Sequence, residues 1–147
     1  VADQREVILS RLVTLCGSIN GVQSVARNRL DVAGLVRPAV VIHDGLEQLF
    51  DAPSDMHHSE LQRMELAPVI VVIVRGGGSA DPGVLMSSYR SQIVAGILRD
   101  SAILAAIGSN GRIRYDGCTV APPDAEAKEH RIELSVTFRY VFRLGDL

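Results

Sequence analysis

The stretch Val69 to Asp81, VIVVIVRGGGSAD, runs six β-branched residues through Arg75 into three glycines, Gly76, Gly77 and Gly78. An apolar strand that ends in glycines and leads into a helix is the layout of a phosphate-binding loop, where clustered backbone N–H groups cradle an anion. That chemistry also needs a lysine and a Ser or Thr directly after the last glycine, to reach phosphate and magnesium. The chain instead continues Ser79-Ala80-Asp81-Pro82-Gly83, with no lysine and with a carboxylate where phosphates would sit. The glycine spacing of a dinucleotide fingerprint is absent as well. The expectation is a connector from a buried strand to a helix, with a small nucleotide-binding module as the weakest of the functional readings.

Other residues that could do chemistry are no better placed. His43 and Asp44 are adjacent, and neighbours on a strand point to opposite faces, so they cannot form an oriented dyad. Asp44-Gly45 reads as a turn. His57-His58, with Asp51, Asp55 and Glu60 nearby, lacks zinc spacing and a second ligand set. No Ser, Cys and His set assembles into a nucleophilic triad. The sequence therefore implies no catalytic residue, no cofactor, no metal and no enzyme activity. Cys16 falls on an apolar helical stripe and Cys118 follows Asp116-Gly117, which reads as a reduced, intracellular chain without a disulfide framework.

The arginines offer a different chemistry, that of charged interfaces. Of 15 basic residues only Lys128 is lysine. Arginine's planar fork suits interfaces, although a GC-rich genome produces the same bias. Arg27 and Arg29 flank Asn28, Arg75 borders the glycines, Arg112 and Arg114 share a strand face, and Arg139 and Arg143 lie on the polar side of the last strand. Opposed to Asp31, Asp116 and Glu133, they suit salt bridges between subunits or an ordinary solvated face.

The elements that must position these residues follow from periodicity. With 147 residues, 47% of them apolar, and a net charge of −2, the chain reads as one soluble domain, residues 1–147, able to bury roughly 70% of its unfolded surface. The balanced charge gives no global attraction to nucleic acid or anionic membrane. The charged N-terminus VADQREVILSRL does not read as a signal peptide, and no apolar run approaches the ~20 residues of a membrane span.

Ala2 to Ile19 has helical period, with Val7, Ile8, Leu12, Leu15, Cys16 and Ile19 on one stripe. Short strands are expected at Val22 to Asn28 and Pro38 to His43, the second stopped by Asp44-Gly45. Leu46 to Leu66 reads as a loop. Leu66 to Arg75 lacks alternation, so it should be a central strand covered on both faces, with Pro68 tolerable at its entrance or a bulge. Val84 to Leu98 is a second helix, and Ser101 caps a short one through Ile107, closed by Gly108. Arg112 to Val120 and Arg131 to Arg143 alternate as strands, one side to the core and the other to water or a partner. This order predicts an α+β fold: a mostly antiparallel mixed sheet of about five strands against two main helices.

The same order of segments resembles a family. REVILSRLVTLCGSINGV leads into VQSVARNRL and RPAVVIHDGLE, then MELAPVIVVIVR, LMSSYRSQIVAGILRDSAILAAIG, GRIRYDGCT and ELSVTFRYVFRL. It is similar to the tail terminator (tail completion) proteins of long-tailed bacteriophages and gene transfer agents, over nearly the whole chain. The resemblance rests on diffuse features: RNR, the PAVVIHDG strand, the RDS helix break and the GRIRYDG strand. It implies a homohexameric ring at the head-proximal end of the virion tail, assembled in the host bacterial cytoplasm. That ring would stop tube polymerisation and bind the tail tube protein on one side and the head-tail connector or neck protein on the other. DNA would pass through without specific binding, and no membrane is involved. A head-tail joining or neck protein is the alternative. On the terminator reading the adaptable contacts are expected in the glycine loop, Asp51 to Leu66, and Arg27 to Leu35.

Overall fold

The computed structural model describes residues 3–50, 61–76, 81–121 and 128–143. Its elements in chain order are α1 (Gln4–Ser18), β1 (Ser24–Arg27), β2 (Ala39–Leu49), β3 (Leu61–Arg75), α2 (Pro82–Arg99), α3 (Ser101–Ile107), β4 (Arg112–Val120) and β5 (Glu129–Arg143). The five strands form one mixed sheet in the order β1-β2-β3-β5-β4, with β1 parallel to β2 and every other pair antiparallel. The fold is α+β, as the order of periodic segments implies.

Local chemistry sets the helix ends. The Asp3 carboxylate accepts from the Arg5 N–H at 3.0 Å and opens α1. Asp81, the residue that spoils the glycine loop for phosphate, caps α2 by accepting from the Gly83 N–H at 2.8 Å. Pro82 follows at the first helical position, where its missing N–H leaves no bond unmade. The expected cap of α3 is corrected: Asp100, not Ser101, accepts from the Ile103 N–H. A carboxylate there serves twice, because it also receives Arg11 of α1 at 2.6 Å.

The helices cover one face of the sheet. Ile8, Leu9, Leu12, Leu15 and Cys16 of α1 meet Ile93 and Ile97 of α2, Ile103 of α3, and the inward residues of the strands. β3 contributes Leu66, Ile70, Val72 and Val74, and β5 contributes Ile132, Leu134, Val136, Phe138 and Tyr140. β3 lies at the centre, as its unbroken apolar run requires. On its other face Val71 and Ile73 join Val41 beneath Val32 and Leu35 of the segment after β1. Within that segment, expected to be an adaptable contact loop, Val32 and Leu35 pack against the sheet while Leu30 stays exposed.

Two strand ends differ from expectation. Asp44-Gly45 does not stop β2; it forms a bulge, and the register passes from His43↔Val69 to Leu46↔Ala67. Pairing then continues to Leu49, and β3 begins at Leu61, so both ends of the expected loop from Leu46 to Leu66 are strand, while residues 51–60 lie outside the described residues. Gly45 has φ 70, and a Cβ on it would lie 2.0 Å from the carbonyl oxygen of Ala67. Only glycine fits this turn of the backbone. Pro68 is therefore inside a central strand, not at its entrance. It is tolerated because its neighbour β2 is bulged beside it, where regular pairing is already interrupted. A second bulge lies in β4, between Tyr115↔Val136 and Gly117↔Ser135.

Candidate functional site

The sheet face turned away from the helices divides into two kinds of surface. Toward one end the cross-strand row Thr119↔Glu133↔Val71↔Val41↔Ala26 is largely apolar and partly covered. Toward the other end runs the row Arg112↔Arg139↔Glu65↔Gln48. Beside it lie Arg114↔Thr137 and Arg63↔Val141, and Arg143 stands in register with Leu61. Strand alternation thus gathers Arg112, Arg114 and Arg139, named from the sequence on two separate strands, at one end of one face.

Neighbouring groups hold these arginines at defined angles. Arg139 Nε donates to Glu65 Oε2 at 3.0 Å, and its guanidinium lies 3.7 Å from the centre of the Phe50 ring. A planar cation on an aromatic face is attracted by the ring quadrupole. Arg114 pairs with Asp116, which also accepts from the Thr137 hydroxyl. Burial opposes the charge on Asp116, yet the Thr137 hydroxyl and Arg114 outweigh it and hold its pKa below the usual value. Arg112 donates only to the carbonyl oxygen of Gly111, at 2.8 Å, and no carboxylate among the described residues pairs with it. A cleft of about 410 Å³ opens here, lined by Phe50, Arg63, Met64, Asn110, Arg112, Arg139, Tyr140 and Val141. Behind it the Tyr140 hydroxyl donates to Glu47; burial first, and that carboxylate second, push the phenol pKa upward.

The other arginines singled out from the sequence do not join this group. Arg27 lies on the helix side of β1 and is saturated: it donates to Asp44 at 2.7 and 3.0 Å and to Glu6 at 2.7 and 3.0 Å. It ties α1 to the bulge of β2. Arg29 is exposed and donates to the carbonyl oxygen of Asp31. Arg75 ends β3 opposite Glu129, far along the sheet from Arg139, and Gly76 N–H donates to the Lys128 carbonyl at 2.6 Å. Gly77 and Gly78, and the pair His57-His58 with Asp51, Asp55 and Glu60, lie outside the described residues.

Sequence reading missed Phe50, Arg63 and Glu65 because the stretch around them was assigned to a loop. Their signal was present: Arg63, Glu65 and Ala67 alternate with Met64 and Leu66, which is strand periodicity.

The Asp44 cluster gives a pH prediction. The Arg27 guanidinium holds the Asp44 pKa down at about 2, with Asn28 and Arg5 assisting. A depressed carboxylate contributes stability that is present above its unfolded value, about 3.9, and is lost as pH falls through the folded one. Urea midpoints should therefore fall between about pH 4 and pH 2. Asp44→Asn should be less stable at neutral pH and show a shallower fall; an unchanged slope would place the acid sensitivity elsewhere.

Among the described residues no group of His, Cys, Asp and Glu could hold a metal ion, and no helix is long and apolar enough to cross a membrane. The chain matches no protein-family model and no curated protein. The arrangement offers binding chemistry: guanidinium groups, one of them without a carboxylate among the described residues, beside an aromatic ring and aliphatic side chains.

Proposed function

We propose that this chain is a structural virion protein of the tail terminator type. It forms a homo-oligomeric ring that caps the tail tube, ends tube polymerisation and presents the surface to which the head-tail connector attaches. The observation that carries this reading is the gathering of Arg112, Arg114 and Arg139 on an open sheet face, held by Glu65, Asp116 and Phe50. Such a face suits protein contact: charge pairs fix register, and arginine and aromatic groups supply contact energy. The residue order that resembles tail terminators supports the same conclusion, as does the α+β architecture. The ring works by shape and charge complementarity and not by catalysis, in the virion tail next to the head.

Light scattering with mass measurement, across protein concentrations and with or without the tail tube protein, tests it. A closed oligomer, alone or seeded by the tube, is expected. A strict monomer under both conditions would sink the reading, and binding to the portal in place of the tube would move it to a neck component.

A further inference from the structure

We infer that the cleft between Arg112 and Arg139 is a receptor for a carboxylate-bearing segment of a partner protein, with Phe50 and Met64 beside it to take that segment's aliphatic carbons. The inference deepens the proposed assembly role and rests on it, by naming the chemistry of what docks on the open face.

Three observations point to an acidic polypeptide. Arg112 and Arg139 are direct cross-strand partners, and like charges opposite each other on adjacent strands disfavour the sheet. Glu65 compensates Arg139, at 3.0 Å, and Asp116 compensates Arg114. Arg112 is left with a backbone carbonyl and no carboxylate among the described residues. The unbalanced charge of this row is therefore one guanidinium, directed to an open cleft. A carboxylate bound there would receive charge-assisted hydrogen bonds from Arg112 and relieve its repulsion with Arg139.

The cleft's other walls select among anions. Phe50, Met64 and Val141 bring apolar surface next to the arginines. Glutamate and aspartate side chains carry methylene groups on short stems, and their chain neighbours add more, so they can use both kinds of wall. A nucleic-acid backbone offers phosphates spaced along a long charged track, and needs many cationic contacts for affinity. This chain has a net charge of −2 and supplies no such track. Arg139, held flat on Phe50, presents its fork with little orientational freedom to lose on binding.

The test uses short poly-L-glutamate as the probe, with inorganic phosphate and a charge-matched DNA duplex as alternatives, read as the shift in Tm of the full chain. Saturating polyglutamate should raise Tm by about 5 °C, as any ligand of the native state alone does. Arg112→Gln should retain less than half of that shift. Arg29→Gln, which removes the same charge from an exposed loop, should retain more than half. Because Arg112 is exposed, the variant is expected to fold, and its Tm without probe should equal or exceed that of the unaltered chain. Half or more of the shift surviving in Arg112→Gln, or a larger shift from duplex or phosphate than from polyglutamate, overturns the inference. Light scattering separates the two claims: a ring that forms while the probe ignores Arg112 removes the receptor alone. Probe binding at Arg112 by a chain that stays monomeric with the tube protein removes the ring alone.

Discussion

Replacing Arg37 by alanine is expected to destabilise the protein by about 3–5 kcal/mol, the cost of leaving a buried charge without its partner. Arg37 Nη2 lies 2.5 Å from Glu129 Oε1, and the two side chains are only 7% and 9% exposed. The same guanidinium donates to the carbonyl oxygens of Val32, at 2.7 Å, and Leu35. It thereby pins the segment that covers Val71 and Ile73 to the first residue of β5. Alanine would remove the ion pair and two carbonyl partners together. Among the described residues, the remaining Glu129 would keep only Arg131, at 3.5 Å and exposed. The pair itself need not be a net gain over apolar packing, since desolvating two ions offsets their attraction. Arg37→Met combined with Glu129→Leu should therefore recover most of the loss. Urea unfolding of both single variants and the double one at pH 7 measures this. A single-variant loss under about 1 kcal/mol would show that the pair behaves like a solvated surface bridge.

Phe138→Ala should cost about 3–5 kcal/mol as well, through an unfilled cavity and not through charge. Phe138 is fully buried and stands in register with Leu66 on one side and Ile113 on the other. Its strand is hydrogen-bonded to a neighbour along both edges, so the backbone has little freedom to collapse into the space. Phe138→Leu keeps most of the volume and should cost less than about 1.5 kcal/mol. Denaturant midpoints for the two variants should differ clearly; equal losses would mean that the site repacks freely.

Much of this architecture was legible in the sequence. Leu12, Leu15 and Cys16 mark one helix by their spacing, and Ile132 to Phe142 mark a strand by strict alternation. The unalternating run Val69 to Val74 identified the centre of the sheet. What escaped was the extent of β2 and β3, because Asp44-Gly45 has the composition of a turn whether it ends a strand or bulges it. Local residue types do not distinguish the two; the Ala67 carbonyl packed against Gly45 does, and it comes from a distant part of the chain. The candidate site suffered accordingly. Three of its arginines were named, Arg112, Arg114 and Arg139, but Glu65, Phe50 and Arg63 fell in a stretch assigned to a loop. The acidic partners of Arg27, Glu6 and Asp44, were not legible because they lie on two other elements. Pairing across the fold, not residue type, separates a structural arginine from an available one.

The two bulges and Pro68 have a joint mechanical meaning. The register breaks of β2, after His43↔Val69, and of β4, after Tyr115↔Val136, fall at the same height of the sheet, with Pro68 between them in β3. Bulges bend strands and raise their local twist, so the sheet carries a crease running across its strands. Above the crease is a plate whose outer side is the apolar patch under Val32 and Leu35; below it is a plate bearing Arg112, Arg139 and Glu65. The crease thus sets two plates of one sheet at an angle: one locked by Arg37 and Glu129, the other bearing the arginines.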